Sequence, residues 1–201
     1  MVEPTRVAVT GASGYIALHV IAGLLDQGYE VRGTLRDMAR GDKVRAALAR
    51  QTEVSKLTFA QTDLTSDDGW DEAFAGCRYV QHVASPLPMV EPKNHDDLIV
   101  PARDGALRAL DAALRAGVQR VVLTSSIAAI GQGHEARDNF TEDDWSVATP
   151  EIGAYALSKT VAERAAWDFI AALPEDKSLE LVTINPSLVI GPLIDPDGSA
   201  S

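Results

Sequence analysis

The pattern of apolar and polar positions along the chain alternates between two kinds of segment. Short runs of apolar and β-branched residues are followed by longer segments whose apolar residues recur at helical spacing. This alternation predicts a doubly wound α/β fold, in which helices cover both faces of a parallel sheet. The strands are predicted at residues 6–10, 30–35, 56–61, 79–83, 120–125 and 180–185, and the helices at 14–27, 41–50, 67–75, 96–116 and 152–173.

Two stretches fall outside this alternation. Residues 129–150 lie between a strand and a helix and are rich in polar side chains, so we expect a loop over a ligand site. Residues 191–201 are rich in glycine, proline and serine, which predicts irregular structure.

Composition limits the classes of protein to be considered. The chain has 201 residues, 46% of them hydrophobic and 23% charged, which fits one large globular domain. Its formal net charge of −11 argues against a nucleic-acid partner. One cysteine, Cys77, excludes an internal disulfide and suits a reducing compartment. No apolar run reaches membrane-spanning length and the first residues have no signal core, so we expect a cytoplasmic protein without a membrane partner.

A glycine-rich turn follows the first predicted strand. Gly11, Gly14 and Ala17 have the spacing G-x-x-G-x-x-A between an apolar run and an amphipathic segment. Small residues here allow a tight turn, close approach of the backbone to a phosphate, and close packing of helix on strand. The N–H groups at the helix start can then bind a pyrophosphate. We therefore predict a dinucleotide site, with an ordinary strand-to-helix turn as the alternative.

Two groups of polar residues further along the chain are candidates for catalysis. Tyr155 and Lys159 lie four residues apart at the start of a predicted helix, so both side chains emerge on one face. A protonated lysine favours the phenolate form of a neighbouring tyrosine, which makes Tyr155 a candidate general acid or base. Ser125 and Ser126 end the fifth predicted strand, where ligands bind in open α/β sheets. The alternative for Tyr155 and Lys159 is that they are ordinary surface residues of a helix. The alternative for the two serines is that they only satisfy the hydrogen bonds of a strand end.

These motifs occur together and in order along nearly the whole chain. They are TGASGYIA (10–17), RGTLRD (32–37), TDLT (62–65), HVASP (82–86), RVVLTSS (120–126), YALSK (155–159) and NPSLVIGP (185–192). In this combination the chain resembles the extended short-chain dehydrogenase/reductase superfamily, in particular its dihydroflavonol-reductase-like aldehyde and ketone reductases. The resemblance implies a Rossmann sheet with the strand order 3-2-1-4-5-6.

The resemblance also implies roles for the candidate catalytic residues. Ser126 would hydrogen-bond the substrate carbonyl, and Tyr155 would supply a proton as a hydride arrives from the nicotinamide. Lys159 would bind the hydroxyls of the nicotinamide ribose and tune Tyr155. These roles fit the chemistry, because a carbonyl that accepts a hydride develops oxyanion charge, which positioned hydroxyl donors stabilise.

The cofactor can be predicted from the end of the second strand. An NAD site carries an acid there to accept from the ribose 2′-OH, but this chain has Leu35 followed by Arg36. A guanidinium suits a 2′-phosphate, so we predict NADP(H). In the reductases that the chain resembles, a second cation matches Lys43. Solvated surface charges are the alternative for both residues.

Further cofactor contacts are implied along the same edge of the sheet. Against the adenine we expect Asp63 and Leu64, beneath the ribose and phosphates Val83, Ala84 and Ser85, and at the nicotinamide Pro186, Ser187 and Leu188. The remaining predicted contacts are Thr10, Ser13, Tyr15, Ile16 and Thr124. No metal is expected, because His82 has no second histidine or cysteine at ligand spacing.

Extended members of the superfamily continue beyond the NP-x-x-V-x-GP segment. We therefore expect residues 1–190 to form an NADP-binding domain, and residues 191–201 to begin a linker to a substrate-binding lobe that is largely absent from this chain. The leading interpretation is an NADPH-dependent reductase of a small aldehyde or ketone, working as a monomer or homodimer. A nucleotide-sugar epimerase or dehydratase with tightly bound NAD and a non-catalytic NADP(H)-binding module are the alternatives.

Overall fold

A single parallel sheet forms the centre of the computed structural model, which describes residues 5–87, 90–135 and 137–195. Its six strands have the order β3-β2-β1-β4-β5-β6, which confirms the predicted doubly wound topology. The strands are β1 Arg6–Val9, β2 Glu30–Leu35, β3 Leu57–Gln61, β4 Tyr79–His82, β5 Arg120–Thr124 and β6 Glu180–Ile184. The strand order reverses between β1 and β4, and a crevice for a ligand is expected at that point.

Each predicted helix is present, with ends that differ by a few residues. The helices are α1 Tyr15–Asp26, α2 Gly41–Leu48, α3 Trp70–Phe74, α4 Asp96–Arg115 and α5 Gly153–Ala171. Three short 3₁₀ helices, which the apolar pattern did not predict, lie at Met38–Arg40, Ile127–Ala129 and Pro150–Ile152. The prediction was wrong about the start of α3, because Gly69 has a φ of +80° and a Cβ there would lie 2.1 Å from the Gln61 carbonyl oxygen.

The strands bury alternate residues in two layers. Ala8 belongs to the cluster that β4 and β5 form with α3, α4 and α5, whereas Val9 belongs to the cluster formed with α1 and α2. Successive residues of a strand point to opposite faces, so helices must cover both. Trp70 and Phe74 are fully buried and meet edge to face, with ring centres 5.7 Å apart. Helices therefore pack on both faces of the sheet, although Val182 and Ile184 of the edge strand β6 stay exposed.

The strand register aligns the carboxyl ends of the strands. Val9 lies opposite Gly33 of β2 and Gln81 of β4, and His82 lies opposite Leu123 of β5. The residues that follow these positions, where the candidate motifs occur, consequently meet at one edge.

The predicted loop over this edge is largely irregular. Between residues 131 and 149, leaving aside residue 136, the structure has no helix or strand. The buried Ser146 holds the loop to the 3₁₀ helix that follows β5, since its hydroxyl donates to the Ala128 carbonyl oxygen and accepts from the Gln132 N–H. Among the helices of the described residues, none combines the length and hydropathy needed to cross a bilayer.

Candidate active site

The end of β1 is fastened to the end of β4 by one buried threonine. The Thr10 hydroxyl accepts hydrogen bonds from the N–H groups of Val83 and Ala84, each at 3.0 Å, and lies 2.9 Å from His82 Nδ1. Because both lone pairs of the hydroxyl are used, its proton is donated to Nδ1, and the His82 proton must sit on Nε2. Thr10 therefore fixes the turn that follows β1 relative to the chain that leaves β4.

Gly11 begins that turn in a conformation that requires glycine. Its φ is +69°, and a Cβ at this position would lie 3.1 Å from the Ala84 Cα. Both the left-handed backbone and the close approach to Ala84 disfavour any residue with a side chain. The next residue, Ala12, is buried against Gly33 of β2. A Cβ added at Gly33 would lie only 2.8 Å from the Cβ of Ala12. These contacts bring the turn down onto the sheet.

The start of α1 presents backbone donors at this turn. Gly14 precedes the helix with extended backbone, and within the described residues no side chain caps the helix start and its first turn contains no acid. The first N–H groups of a helix lack internal partners and carry partial positive charge, so this end suits an anion. The other predicted contacts here, Ser13, Tyr15 and Ile16, are half-exposed around the turn.

The end of β2 carries a cation and lacks an available acid. Leu35 is buried, and the exposed Arg36 follows it. The next acid, Asp37, accepts from the Ala39 N–H at 3.0 Å and caps the first 3₁₀ helix. Hydrogen bonds from the N–H and hydroxyl of Thr65 lower the pKa of Asp63, and the positive charge of Arg36 lowers it further. Arg36 and Asp63 are therefore neighbours on the edge where the adenosine end of a dinucleotide is predicted.

Lys43 lies farther from the sheet, in the first turn of α2. Its Nζ is 3.4 Å from Oδ2 of Asp195, a residue of the segment that follows β6. The sequence motifs predicted the cation but not this carboxylate partner.

Ser126 follows β5 and begins the second 3₁₀ helix. Its Oγ accepts from the Ala128 N–H at 3.1 Å, and its carbonyl oxygen accepts from Asn185 Nδ2 at 3.2 Å. The Ser126 N-cap fixes the side chain, and the hydroxyl proton remains available for an acceptor outside the helix. A groove of about 500 Å³ opens beside this helix, lined by residues that include Ile127, Ile130 and Phe140.

Tyr155 and Lys159 emerge from the first two turns of α5. The Tyr155 side chain is partly exposed, and the ring centre lies 5.9 Å from Lys159 Nζ. Lys159 is only 8% exposed, and its Nζ donates to the Thr124 carbonyl oxygen at 3.3 Å. Burial lowers the pKa of Lys159 to about 8, and the Glu163 carboxylate opposes this shift. The ammonium thus sits between Tyr155 and the end of β5.

The pairing of Glu163 with Asn185 is a feature that the motifs did not predict. Asn185 Nδ2 donates to Glu163 Oε2 at 2.8 Å, in addition to its contact with Ser126. Glu163 is buried one turn after Lys159 on the same face of α5, and this spacing was the available signal. One amide therefore connects α5, the end of β5 and the chain that follows β6.

A second unpredicted contact lies at the start of α5. Glu91 Oε1 accepts from the Ala154 N–H at 2.9 Å, although 63 residues separate them. Gly153 makes room for this carboxylate, because a Cβ there would lie 3.1 Å from Oε1. The chain that leaves β4 is therefore tied to the helix that carries Tyr155.

A small cavity lies behind Lys159. It measures about 20 Å³ and is lined by residues that include His82, Ser125 and Lys159. Ser125 is 6% exposed, and its hydroxyl is the buried side-chain atom for which the described part of the chain offers no hydrogen-bond partner. Burial, followed by the positive charge of Lys159, lowers the pKa of His82 to about 4.

Comparison with known proteins shows the family of the chain. The model of the NAD dependent epimerase/dehydratase family matches residues 7–201. The chain belongs to this family.

Relatives within the epimerase/dehydratase family include several reductases. The chain is 36% identical to "Dihydroflavonol 4-reductase" of Arabidopsis thaliana, over 96% of this chain and 51% of that protein. It is also 36% identical to "Cinnamoyl-CoA reductase CAD2" of Medicago truncatula, over 94% of this chain and 59% of that protein. These findings confirm the resemblance found in the motifs. The chain spans about half to three fifths of the length of these relatives.

Solved structures that are similar to this chain include reductases with bound NADPH. The yeast methylglyoxal/isovaleraldehyde reductase Gre2 complexed with NADPH has a TM-score of 0.83 and 31% identity, covering 94% of this chain and 59% of that chain. Gre2 in complex with NADPH from Candida albicans has a TM-score of 0.82 and 35% identity, covering 94% and 60%.

The remaining predicted residues of the family motifs lie around the same edge. Pro186 accepts from the Ile127 N–H through its carbonyl oxygen at 3.0 Å, which brings the segment after β6 to the Ser126 helix. Ser187 and Leu188 follow it and are exposed. Leu64 accepts from Arg108 Nη1 through its carbonyl oxygen at 2.8 Å, and Ser85 lines the small cavity. Within the described ranges, no group of three or more histidine, cysteine or acidic residues is arranged to hold a metal ion.

Proposed function

We propose that the chain carries the cofactor-binding and proton-transfer machinery of an NADPH-dependent reductase of aldehydes or ketones, working reversibly as an alcohol dehydrogenase. The observation that carries the proposal is the position of Lys159 between the Tyr155 ring and the carbonyl oxygen of Thr124, two residues before Ser126 at the end of β5. In this proposal residues 1–190 form the cofactor domain, and residues 191–201 begin the connection to a substrate-binding lobe. The single cysteine, Cys77, is consistent with a cytoplasmic setting.

The cofactor site is proposed along the carboxyl edge of β1, β2 and β4. The pyrophosphate would bind to the N–H groups at the start of α1, where the described backbone has no side-chain cap. The N–H groups of Ala12 and Gly14 are already used, because they donate to the carbonyl oxygens of Thr34 and Gly11. The 2′-phosphate would bind to Arg36 and Lys43, since Leu35 replaces the acid of an NAD site and Asp37 is engaged as a cap. NADPH-bound Gre2 structures at 31% and 35% identity support this choice of cofactor.

A bound nicotinamide would supply the hydride, and this chain would supply the proton. In the proposed reduction Ser126 donates its hydroxyl hydrogen bond to the substrate oxygen, and Tyr155 Oη transfers a proton to the same oxygen. The Lys159 ammonium stabilises the phenolate that remains on Tyr155. With a pKa of about 8, Lys159 carries its charge near neutral pH. The Thr124 carbonyl keeps this charge in place.

The substrate is proposed to occupy the groove beside Ser126. Side chains of Ile127, Ile130 and Phe140 give the groove apolar walls, and Asn185 also lines it. A carbonyl compound with an apolar body would bury that body here and direct its oxygen to the Ser126 hydroxyl. Relatives named for dihydroflavonol, cinnamoyl-CoA and isovaleraldehyde as substrates are consistent with such a compound.

The decisive experiment replaces the proposed proton donor. We expect Tyr155→Phe to lower kcat for NADPH-dependent reduction of isovaleraldehyde by about 10²- to 10⁴-fold, while the Kd for NADPH stays within two-fold, because only the phenolic proton is lost. Tyr29→Phe, at a tyrosine just before β2, serves as the matched control and should retain activity. Full activity of Tyr155→Phe would contradict the proposed mechanism.

A second experiment tests the choice of cofactor. We expect Arg36→Ala to lower kcat/KM for NADPH by about 10- to 100-fold and to leave that for NADH nearly unchanged, because a hydrogen-bonded charge pair with the 2′-phosphate is lost. The control is Arg120→Ala, because Arg120 is the first residue of β5 and lies at the end of the strand away from the proposed cofactor site. Purified protein that holds non-exchanging NAD would instead favour a nucleotide-sugar epimerase or dehydratase. NADPH binding without turnover of any carbonyl would favour a non-catalytic binding module.

A further inference from the structure

The segment that follows β6 folds back over the two helices of the proposed cofactor site. We call residues 191–195 the strap. Its carbonyl oxygens accept from His19 Nε2 of α1, at 3.0 Å to Pro192, and from Arg50 Nη2 beyond α2, at 3.3 Å to Ile194. Ile194 is 3% exposed and belongs to the apolar cluster of α1 and α2. The strap is therefore anchored independently of any charge at its end.

The strap crosses the start of α1 at close range. Tyr15 is the first residue of α1, and a Cβ at Gly191 would lie 2.6 Å from the Tyr15 Oη. The backbone of the strap thus passes close to the end of the tyrosine side chain, which would have to shift if residue 191 carried a Cβ. The strap consequently runs from the proposed pyrophosphate site towards α2.

At its far end the strap brings a carboxylate to Lys43. Asp195 Oδ2 lies 3.4 Å from Lys43 Nζ; the Asp195 side chain is 10% exposed and that of Lys43 is 48% exposed. An aspartate that is largely withdrawn from solvent needs a cationic neighbour, whereas the half-exposed lysine on its flexible stem can turn to another anion. The ammonium is thus positioned to serve a carboxylate or a phosphate.

We propose that Asp195 competes with the adenosine 2′-phosphate of NADP(H) for Lys43 and thereby tunes the preference between phosphorylated and unphosphorylated cofactors. The inference rests on the proposed NADP(H) function. A 2′-phosphate carries up to two negative charges, so it draws Lys43 away from Asp195 and repels the carboxylate. A cofactor without this phosphate leaves the ion pair intact. Asp195 therefore weakens binding of the phosphorylated cofactor selectively.

Two nucleotide fragments test this competition without requiring turnover. Calorimetric Kd values for adenosine 2′,5′-bisphosphate and 5′-AMP are measured on the purified protein and on Asp195→Asn, Lys43→Met and the double variant. We expect Asp195→Asn to tighten the bisphosphate by about two- to five-fold, the range of a partly exposed ion pair, and to leave 5′-AMP unchanged. In the Lys43→Met background the same substitution should have no effect, because the shared cation is gone.

The matched control is Asp42→Asn, which removes the same charge from the neighbour of Lys43 on α2. The inference would be overturned if Asp42→Asn changed the Kd of the bisphosphate as much as Asp195→Asn does. It would also be overturned if Asp195→Asn changed the Kd of both fragments equally, or if its effect persisted in the Lys43→Met background. Thermal unfolding of each variant checks the fold, and Asp195→Ser repeats the test without an amide. If the original protein bound the two fragments with equal affinity, the NADP(H) proposal itself would be refuted. If only the Asp195 variants failed to show the expected change, the NADP(H) proposal would stand.

Discussion

Lys159 Nζ lies 5.9 Å from the ring centre of Tyr155 and donates to the Thr124 carbonyl oxygen. The carbonyl holds the ammonium at the end of β5, so the charge reaches the tyrosine from a fixed position. Burial lowers the pKa of this ammonium, so the pH profile of the proposed reduction should respond to the groups around Lys159.

The proposed reduction should decline as Lys159 loses its proton. The Lys159 pKa is about 8, so we expect kcat to fall as the pH rises through this value. Besides Tyr155, the titratable groups near Lys159 are Glu163 on α5 and His82 at the end of β4. Glu163 raises the pKa of Lys159, so Glu163→Gln should move the decline to lower pH. The glutamine oxygen can still accept from Asn185, which preserves the geometry. Superimposable pH–kcat profiles of the two proteins would contradict this account.

His82 should make the fold sensitive to acid. Its pKa in the folded protein is about 4 against an ordinary value of 6.5, so between these values the unfolded chain binds a proton that the folded chain does not. Stability is then lost as the pH falls from 6.5 towards 4, by roughly 2 kcal/mol between pH 7 and pH 5. Urea unfolding of His82→Gln should show a shallower pH dependence than the original protein. His134→Gln controls for the loss of one histidine, and an unchanged slope in His82→Gln would refute the prediction.

Two glycines of the first βα unit should respond oppositely to alanine. Gly11→Ala forces a left-handed alanine against Ala84, so we expect a loss of at least about 1–2 kcal/mol in stability and weaker NADPH binding. Gly23 lies inside α1, and a Cβ added there would have no neighbouring atom within 4 Å. Gly23→Ala should therefore stabilise the protein by about 0.5–1 kcal/mol and leave NADPH binding unchanged. Unfolding curves and fluorescence titration measure both, and equal effects would argue against the strained turn.

Glu91 should act as a remote cap of α5, the helix that carries the proposed proton donor Tyr155. Glu91→Ala leaves the Ala154 N–H without its acceptor, at a cost of about 1 kcal/mol. Because Tyr155 is the next residue, kcat should fall while the Kd for NADPH stays constant. Glu91→Gln should recover most of the activity, since its amide oxygen can accept the same hydrogen bond. Glu175→Ala, beyond the end of α5, is the control, and a purely parallel loss of stability and NADPH binding would exclude the positioning role.

The sheet was predictable because its signals are local. Apolar runs such as those in β2 and β5 mark buried strands, and small residues such as Gly11 mark the turn. The order of strands followed from the resemblance, and the structure confirms it. The helix boundary at Gly69 was missed because the glycine conformation there depends on a close approach to Gln61 of β3, which no local pattern records.

The sequence by itself determined the type and order of the elements and placed the candidate residues at one edge, because apolar periodicity and the ends of parallel strands depend on neighbours in the chain. Only the tertiary structure decided which side chains meet across that edge. Glu91 reaches Ala154 over 63 residues, and Asp195 reaches Lys43 after the chain has crossed the whole sheet. Such contacts depend on the packing of several elements at once, and a carboxylate in a loop has the same local sequence whether it faces water, a helix end or a lysine.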